Sequence, residues 1–445
     1  MVAPARKVSK KSAKPSGKSG SRPGSKSGKK SGPPKSPRAL ALWLIGQVKG
    51  QRKPIAEVLQ STPAYRALDP RDQSLVRALV THFFRHHHAL DAVFAPHLSR
   101  PLESLSPAAL GPLRLGTVEL LAMGSPAHAT LNETVALTPK ALRGLVNAVL
   151  RAVLKHEQES RARFNEALAV PPWLLEGWQT AYGEARAAAL TNGLRQVPDL
   201  DLTLKPGADL DLGEAALEHH RRLPANDPRT LPGFEAGEWW VQDLAASLPV
   251  RLAGDVTGKT ALDVCAAPGG KTLQLAAGGA QVTALDISKA RLARVRENLD
   301  RTGLEAELIC QDALTYAPRK PFDLILLDAP CSASGTLRRH PEWPWIHARK
   351  DQLAHVPTQA ALLRRCLEWL KPGGTLIYAV CSLFPEEGEQ QIEALLDAHP
   401  DARLVSDPVC PLPPQTWDIK KGWLRTTPNL DLNMDGFFAA VLEKV

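Results

Sequence analysis

Two periodicities divide this chain. Between Arg38 and Leu154 apolar residues recur every three or four positions, in stretches 38–48, 55–59, 72–94, 110–123, 131–137 and 142–154. That spacing predicts amphipathic helices packed on one another. Prolines at 54, 63, 70, 96, 101, 107, 112, 126 and 139 punctuate them and favour short helices joined by turns. From Gly258 the pattern changes to short apolar runs alternating with helical stretches. Strands are expected at 261–265, 281–285, 306–310, 323–328 and 375–380, with helices at 271–277, 289–302, 350–370 and 385–398. The run Leu324 to Leu327 has no polar position, as in a strand buried on both faces of a parallel sheet. Repeated strand–helix units predict an α/β fold with a doubly wound, mostly parallel sheet. The final segment 436–445 reads as one more strand closing that sheet.

Residues 157–250 carry a weaker signal. Pro171 and Pro172 open a pair of helices, and the stretch 199–207 alternates polar and apolar like a strand. This connector is expected to pack on the α/β part, with Trp173, Trp178, Trp239 and Trp240 as packing residues. Four parts follow: a tail 1–37, a helical domain 38–156, a connector 157–250 and an α/β domain 251–445.

Charge alters the picture at one end only. The net charge is +9, but residues 1–38 hold 12 Lys and Arg and no acid, so the rest of the chain is net acidic. The tail is rich in Ser, Gly and Pro, has little to bury, and is expected to be disordered. Two readings of it stand level: a polycation that binds nucleic acid in a salt-dependent way, and a solubilising extension. No apolar window is long enough to span a membrane and no secretory leader opens the chain, so a soluble, cytoplasmic protein is expected. The six cysteines form no C-x-x-C pair, which argues against a zinc site or a disulfide framework. His82, His86, His87 and His88 lack the carboxylate of a metal-binding H-E-x-x-H helix. They are expected to be exposed, near RNA phosphate, with no metal bound.

Candidate chemistry gathers at the strand ends, where ligands bind in open α/β sheets. The first strand runs into Cys265, Ala266, Ala267, Pro268, Gly269, Gly270 and Lys271, small residues that let a ligand approach the backbone and the next helix N-terminus. The loop matches neither the dinucleotide nor the Walker pattern. Asp286 and Asp312 end the second and third strands, placed to meet ribose hydroxyls and an adenine edge, and Asp328 ends the fourth. One such acid is often a helix cap. Three in succession favour an adenosine-bearing ligand.

The phrases "LDVCAAPGGKT", "LDAPCSASGTLRRHP", "YAVCSLFPEE" and "DGFFAAVLEK" resemble the ordered motifs of the RsmB/Nop/Sun family of RNA cytosine-5 methyltransferases. Three phrases between Leu68 and Val153 resemble the NusB-type RNA-binding fold, a combination similar to the RsmB (Sun) branch that methylates small-subunit ribosomal RNA. The resemblance covers roughly residues 38–445. It implies a Rossmann-like class I fold, S-adenosylmethionine held by Cys265 to Lys271, Asp286, Asp312 and Asp328, an RNA partner and a monomer.

Carbon 5 of cytosine is not nucleophilic until a thiolate adds at carbon 6, so the reaction needs an activated cysteine. Cys331 and Cys381 both follow strand ends. By resemblance Cys381 is the nucleophile, Cys331 assists release of product, and Asp328 meets the base near nitrogen 3. DNA cytosine methyltransferases use the Pro-Cys thiol, which would be Cys331. Val380 stands where the family usually has threonine. Arg338, Arg339 and His340 are expected to touch RNA, as are Asn147 and Arg151 on the last helix of the helical domain. Methylation of another RNA such as transfer RNA, or of DNA, and a non-catalytic RNA-binding or assembly role remain the alternatives.

Overall fold

The structure, a computed structural model, describes residues 33–34, 36–208, 210–224, 227–348, 351, 353–405, 412, 422–428 and 432–445. The expected disorder of the basic tail and the packing of Cys410 fall outside those residues.

The helical part is built where the periodicity placed it. Helices Pro37–Gln51, Pro70–Phe94, Pro107–Thr117, Ala127–Leu137, Arg143–Lys155 and Glu157–Glu166 pack around Leu40, Leu44, Leu79, Phe84, Leu113 and Leu150. Three of them begin with proline, which needs no helical N–H partner there. Side-chain caps close two of those starts: Ser36 accepts from Ala39 N at 3.3 Å and Asp69 from Asp72 N at 2.9 Å. The acid Glu119 is fully buried, with Arg38 forked across it at 2.7–3.0 Å.

The histidine expectation is corrected. His86 and His87 are buried, and burial pushes His82 to about 4, His86 to about 3 and His87 to about 2. The helix Pro70–Phe94 runs through the middle of its layer, against Pro37–Gln51 and Glu157–Glu166, and Trp345 covers His87 at 4.0 Å between ring centres. Over 79–90 every residue of this helix is buried or half-buried, so the histidines there have no fully wet face. Lys49 lies 2.9 Å from His87 Nε2 and 4.6 Å from the Trp345 ring, and its own burial lowers it to about 8.

The connector contains more than the one strand foreseen. β1 (Leu200–Leu204), β2 (Glu214–Leu217), β3 (His220–Leu223) and β4 (Trp239–Val241) form an antiparallel sheet in the order β2-β3-β1-β4. Asp201 anchors it, accepting a two-pronged bond from Arg222 at 2.7 and 2.8 Å and another from Leu244 N. Trp178, Trp239 and Trp240 are buried, as packing residues should be.

The second sheet holds β5 (Thr260–Val264), β6 (Gln281–Asp286), β7 (Glu307–Cys310), β8 (Phe322–Asp328), β9 (Leu370–Val380), β10 (Ala402–Leu404), β11 (Trp423–Thr426) and β12 (Phe437–Lys444). Its order is β10-β12-β9-β8-β5-β6-β7, with β11 also paired to β12. β5 to β9 are parallel, and β12 lies antiparallel to β9 with β10, not β12, at the edge of the sheet. From β5 the chain first builds outward to β6 and β7, then returns to β8, so the order reverses between β5 and β8. Ligand crevices open at such reversals. Between the last two long parallel strands the helix is Val356–Trp369, shorter than foreseen at both ends: 353–355 form a turn ahead of it and Leu370 already belongs to β9. The expected helix 385–398 is a 3-10 turn Pro385–Glu387 followed by Glu389–Ala398.

Candidate active site

The loop after β5 is shaped by backbone that few side chains tolerate. Cys265 has φ 65° and Gly269 φ 106°, and a Cβ on Gly269 would press to 3.0 Å on Val295. The helix Gly270–Ala277 therefore starts close against the loop and directs its first N–H groups over the strand ends. Burial, with Asp328, Asp286 and Asp263 nearby, pushes the Cys265 thiol up to about 12, which makes it inert as a nucleophile at neutral pH.

Asp286 is buried at the end of β6. Its Oδ1 accepts from Ser288 N at 2.8 Å, its Oδ2 accepts from Ala267 N at 3.2 Å, and Arg291 pairs with it. It thus ties β6 to the β5 loop. Asp312 accepts from Leu314 N at 2.9 Å and is only half-buried. Two residues that sequence reasoning passed over stand beside these acids: Ile287 is 66% exposed and Leu314 41%. An apolar residue just after or near a strand-ending acid was the available signal. Another is Asp263, inside β5, whose carboxyl burial lifts to about 7 while Thr272 Oγ1 donates to it at 2.5 Å. An acid interrupting an apolar strand could have marked it.

Asp328 ends β8 next to that loop. Lys271 Nζ donates to its Oδ2 at 2.8 Å and lies 5.1 Å from the Phe437 ring. Burial alone would lower the Lys271 ammonium, but Asp328 outweighs it and holds the group above its usual value. One strand over, Asp328 is in register with Ala379 of β9, so the segments after each strand run side by side. Cys331 Sγ and Cys381 Sγ lie 3.5 Å apart. The hydrogen bond with Cys381, burial and the charge of Glu387 hold the Cys331 thiol well above its usual value. The remaining described cysteines, Cys310 and Cys366, lie elsewhere, Cys366 fully buried among apolar neighbours.

The RNA-contact expectations divide. Arg338 is 1% exposed, its guanidinium held at 2.9–3.0 Å by Asp435 and paired with Asn433. The expectation of a phosphate contact is corrected for this residue, because no face of its guanidinium meets solvent. Arg339 bridges Asp243 and Asp435 at 2.6 and 2.9 Å, mostly covered. His340 is 52% exposed at its side chain. Asn147 and Arg151 sit on Arg143–Lys155, far along the chain from the cysteines, with Arg151 exposed and donating to Asn147 at 3.1 Å. Trp343 is buried and donates from Nε1 to Ser332 O at 2.5 Å, a packing role.

A cavity of about 440 Å³ reaches Lys271 and Asp328, walled by Trp240, Gln242, Ala266, Pro268 and Gly270. A wider hollow of about 800 Å³ includes Thr260, Gln281, Glu307 and Phe322, the first residues of four strands, and so lies at the opposite edge from the chemistry.

Residues 252–443 match the family described as 16S rRNA methyltransferase RsmB/F, and residues 35–155 match the NusB family. A Vibrio vulnificus protein, Ribosomal RNA small subunit methyltransferase B, is 34% identical over 92% of this chain and 99% of its own length. The Erwinia tasmaniensis protein of the same name is 35% identical over 92% and 98%. This chain belongs to the RsmB (Sun) family of ribosomal RNA methyltransferases. Among solved structures, PH0851 shares the fold with a TM-score of 0.69 over 93% of this chain and 99% of its own, at 22% identity. NSun6 from Pyrococcus horikoshii, solved with SFG, overlays 62% of this chain and 98% of its own with a TM-score of 0.52 at 20% identity. The family fixes the enzyme as an RNA methyltransferase with S-adenosylmethionine as its methyl donor. The geometry suits that donor: a glycine cradle at the β5 end, buried Asp286 beside exposed Ile287, and Asp312 beside exposed Leu314. No helix is long and apolar enough to cross a membrane, and no metal-binding cluster occurs, among the described residues.

Proposed function

We propose that this chain methylates carbon 5 of a cytosine in small-subunit ribosomal RNA through a covalent adduct on Cys381, acting in the cytoplasm as a monomer. The observation that carries this reading is the pair of thiols, Cys331 and Cys381, 3.5 Å apart beside the Lys271–Asp328 pair. The names of the 34–35% identical relatives support the choice of RNA.

Cys265 to Lys271, Asp286 and Asp312 would hold S-adenosylmethionine, exposed Ile287 and Leu314 would offer its adenosine apolar contact, and the bound cofactor would supply an electrophilic methyl group. The Cys381 thiolate adds to carbon 6, which turns carbon 5 into an enamine carbon able to attack that methyl. Negative charge then develops toward nitrogen 3, and Asp328 orients that edge while the Lys271 ammonium behind it offsets the charge. Once carbon 5 is methylated, a water molecule takes its proton, the pair of that C–H bond re-forms the carbon 5–carbon 6 double bond, and the sulfur–carbon 6 bond breaks with its pair on Cys381, which leaves as thiolate 3.5 Å from the Cys331 thiol. Cys331, kept as a protonated thiol, assists this second half. Arg339, His340, Asn147 and Arg151 contribute to RNA placement, the first through the loop it braces.

Bisulfite sequencing of ribosomal and transfer RNA from a deletion strain tests the reading. One small-subunit cytosine is expected to lose its mark. Loss confined to transfer RNA would move the substrate, and no loss anywhere would sink cytosine-5 chemistry.

A further inference from the structure

The motif around Cys381 ends in Pro385, Glu386 and Glu387, and the reaction outlined above leaves Glu387 without a task. Glu387 is fully buried. Its carboxylate accepts from Ser332 N at 2.9 and 3.2 Å, from Ser332 Oγ at 2.6 Å and from Gln359 Nε2 at 3.2 Å. No Lys, Arg or His side chain pairs with it among the described residues. A buried carboxylate satisfied only by neutral donors is costly unless its placement serves something.

What it serves is visible in its neighbours. Ser332 directly follows Cys331, and Ser382 directly follows Cys381. Their hydroxyls meet at 3.2 Å, and Ser334 Oγ lies 3.1 Å from one and 3.3 Å from the other. Ser334 Oγ also accepts from Leu383 N at 2.9 Å, and Ser382 Oγ accepts from Phe384 N at 3.0 Å. Gln359 ties the same carboxylate to Pro330 O, immediately before Cys331, at 2.9 Å. Tyr378, two residues before Val380, donates to the Glu387 carbonyl at 2.6 Å. Glu387 belongs to the segment that carries Cys381, and its carboxylate crosses to Ser332 on the segment that carries Cys331; the Ser382 hydroxyl crosses to Ser332 and Ser334, and Ser334 Oγ to Leu383 N. The bonds of Tyr378 and of Phe384 N brace the Cys381 side, and Gln359 braces the Cys331 side.

We infer that Glu387 is a positioning residue that clamps the two cysteine-bearing strand ends together, so that the adduct formed at Cys381 stays within reach of Cys331. This inference rests on the two-thiol reading. Glu387 itself never touches RNA or cofactor; it acts through Ser332 and Ser382. Its negative charge near Cys331 also helps keep that thiol protonated.

The test uses the full-length enzyme, S-adenosylmethionine and unmethylated small-subunit ribosomal RNA. In Glu387→Gln the carboxylate no longer accepts from both Ser332 donors and Gln359 at once. The expected result is kcat lowered roughly ten- to hundredfold, as for a small misplacement of reacting groups, with KM for S-adenosylmethionine unchanged. A covalent RNA–protein complex should accumulate on denaturing gels as it does with Cys331→Ala. Ser382→Ala, which removes only the bridging hydroxyl, should show the same pattern in weaker form and decides the matter if Glu387→Gln does not fold. Clamp variants that turn over like wild type, or lose activity with no trapped complex while Cys331→Ala does trap, overturn the clamp alone. If Cys331→Ala itself traps nothing, the two-thiol reading falls and takes this inference with it.

Discussion

The ammonium of Lys271 donates to Oδ2 of Asp328 at 2.8 Å, joining the first residue turn of the helix after β5 to the end of β8. This ion pair spans the point where the strand order reverses, between the cofactor loop and the two cysteines. Replacing Lys271 by Met keeps the length and removes the charge. We expect kcat to fall by about 10²–10³, with a smaller change in KM for S-adenosylmethionine. Single-turnover methyl incorporation into ribosomal RNA measures it. A variant within about threefold of wild type, against that expected loss, would remove Lys271 from the charge-offsetting role.

The two thiols should separate cleanly by mutation. Cys331→Ala is expected to accumulate a covalent RNA–protein complex, because attack by Cys381 is intact and breakdown is slowed. Cys381→Ala should give neither complex nor product. Denaturing gels with labelled RNA read both outcomes, and a complex formed by Cys381→Ala alone would exchange the roles of the two residues.

Burial of the histidines has a pH consequence. His86 is neutral in the fold down to about pH 3, whereas in the unfolded chain it protonates near 6.5. Its folded value is lowered, so as pH falls below 6.5 the unfolded chain gains a proton that the folded chain refuses, and stability is lost. Asp263, lifted to about 7, works in the opposite sense, so wild type alone does not isolate the effect. The comparison is His86→Phe, whose ring fits against Phe164, 4.8 Å away. Between pH 7 and pH 4 wild type should lose on the order of 2 kcal/mol relative to this variant, read from urea midpoints. A constant gap across that range would show His86 free to protonate in the fold.

Glu119 has no exposure, and its carboxylate is paired with Arg38 at 2.7 Å. Arg38→Met leaves that carboxylate uncompensated in the helical core, which should cost about 3 kcal/mol. Thermal or urea unfolding checks it. The double replacement Arg38→Met with Glu119→Leu should recover most of the loss, since an apolar pair of similar volume replaces the buried ions.

The parallel strands were legible in the sequence because each is a short, largely apolar run leading into an acid or cysteine, and in the central β8 burial on both faces leaves no alternation to confuse the period. β2 and β3 were not, because "EAAL" and "HRRL" carry no stripe; they form where Asp201 grips Arg222 from β1, a tertiary bond no local window contains. The site residues at strand ends were equally readable, since topology gathers them. Arg338 misled for a physical reason: a basic residue beside a catalytic loop looks available for phosphate until Asp435, 97 positions later, closes on it. The histidines misled in the same way. Four in seven residues suggest a wet face, and only the packing of Trp345 and the helix Glu157–Glu166 shows there is none.

Trp345 and Ile346 belong in sequence to the catalytic half, yet they finish the core of the helical half, where Arg52 also donates to Ile346 O at 2.8 Å and Arg85 to Arg338 O at 2.9 Å. Anyone who expresses residues 157–445 alone would therefore produce a protein with a sticky, half-stripped loop whose Trp345 lies 14 residues past Cys331. Such a fragment should clump on storage, and its catalytic defects would say more about that exposed seam than about RNA capture.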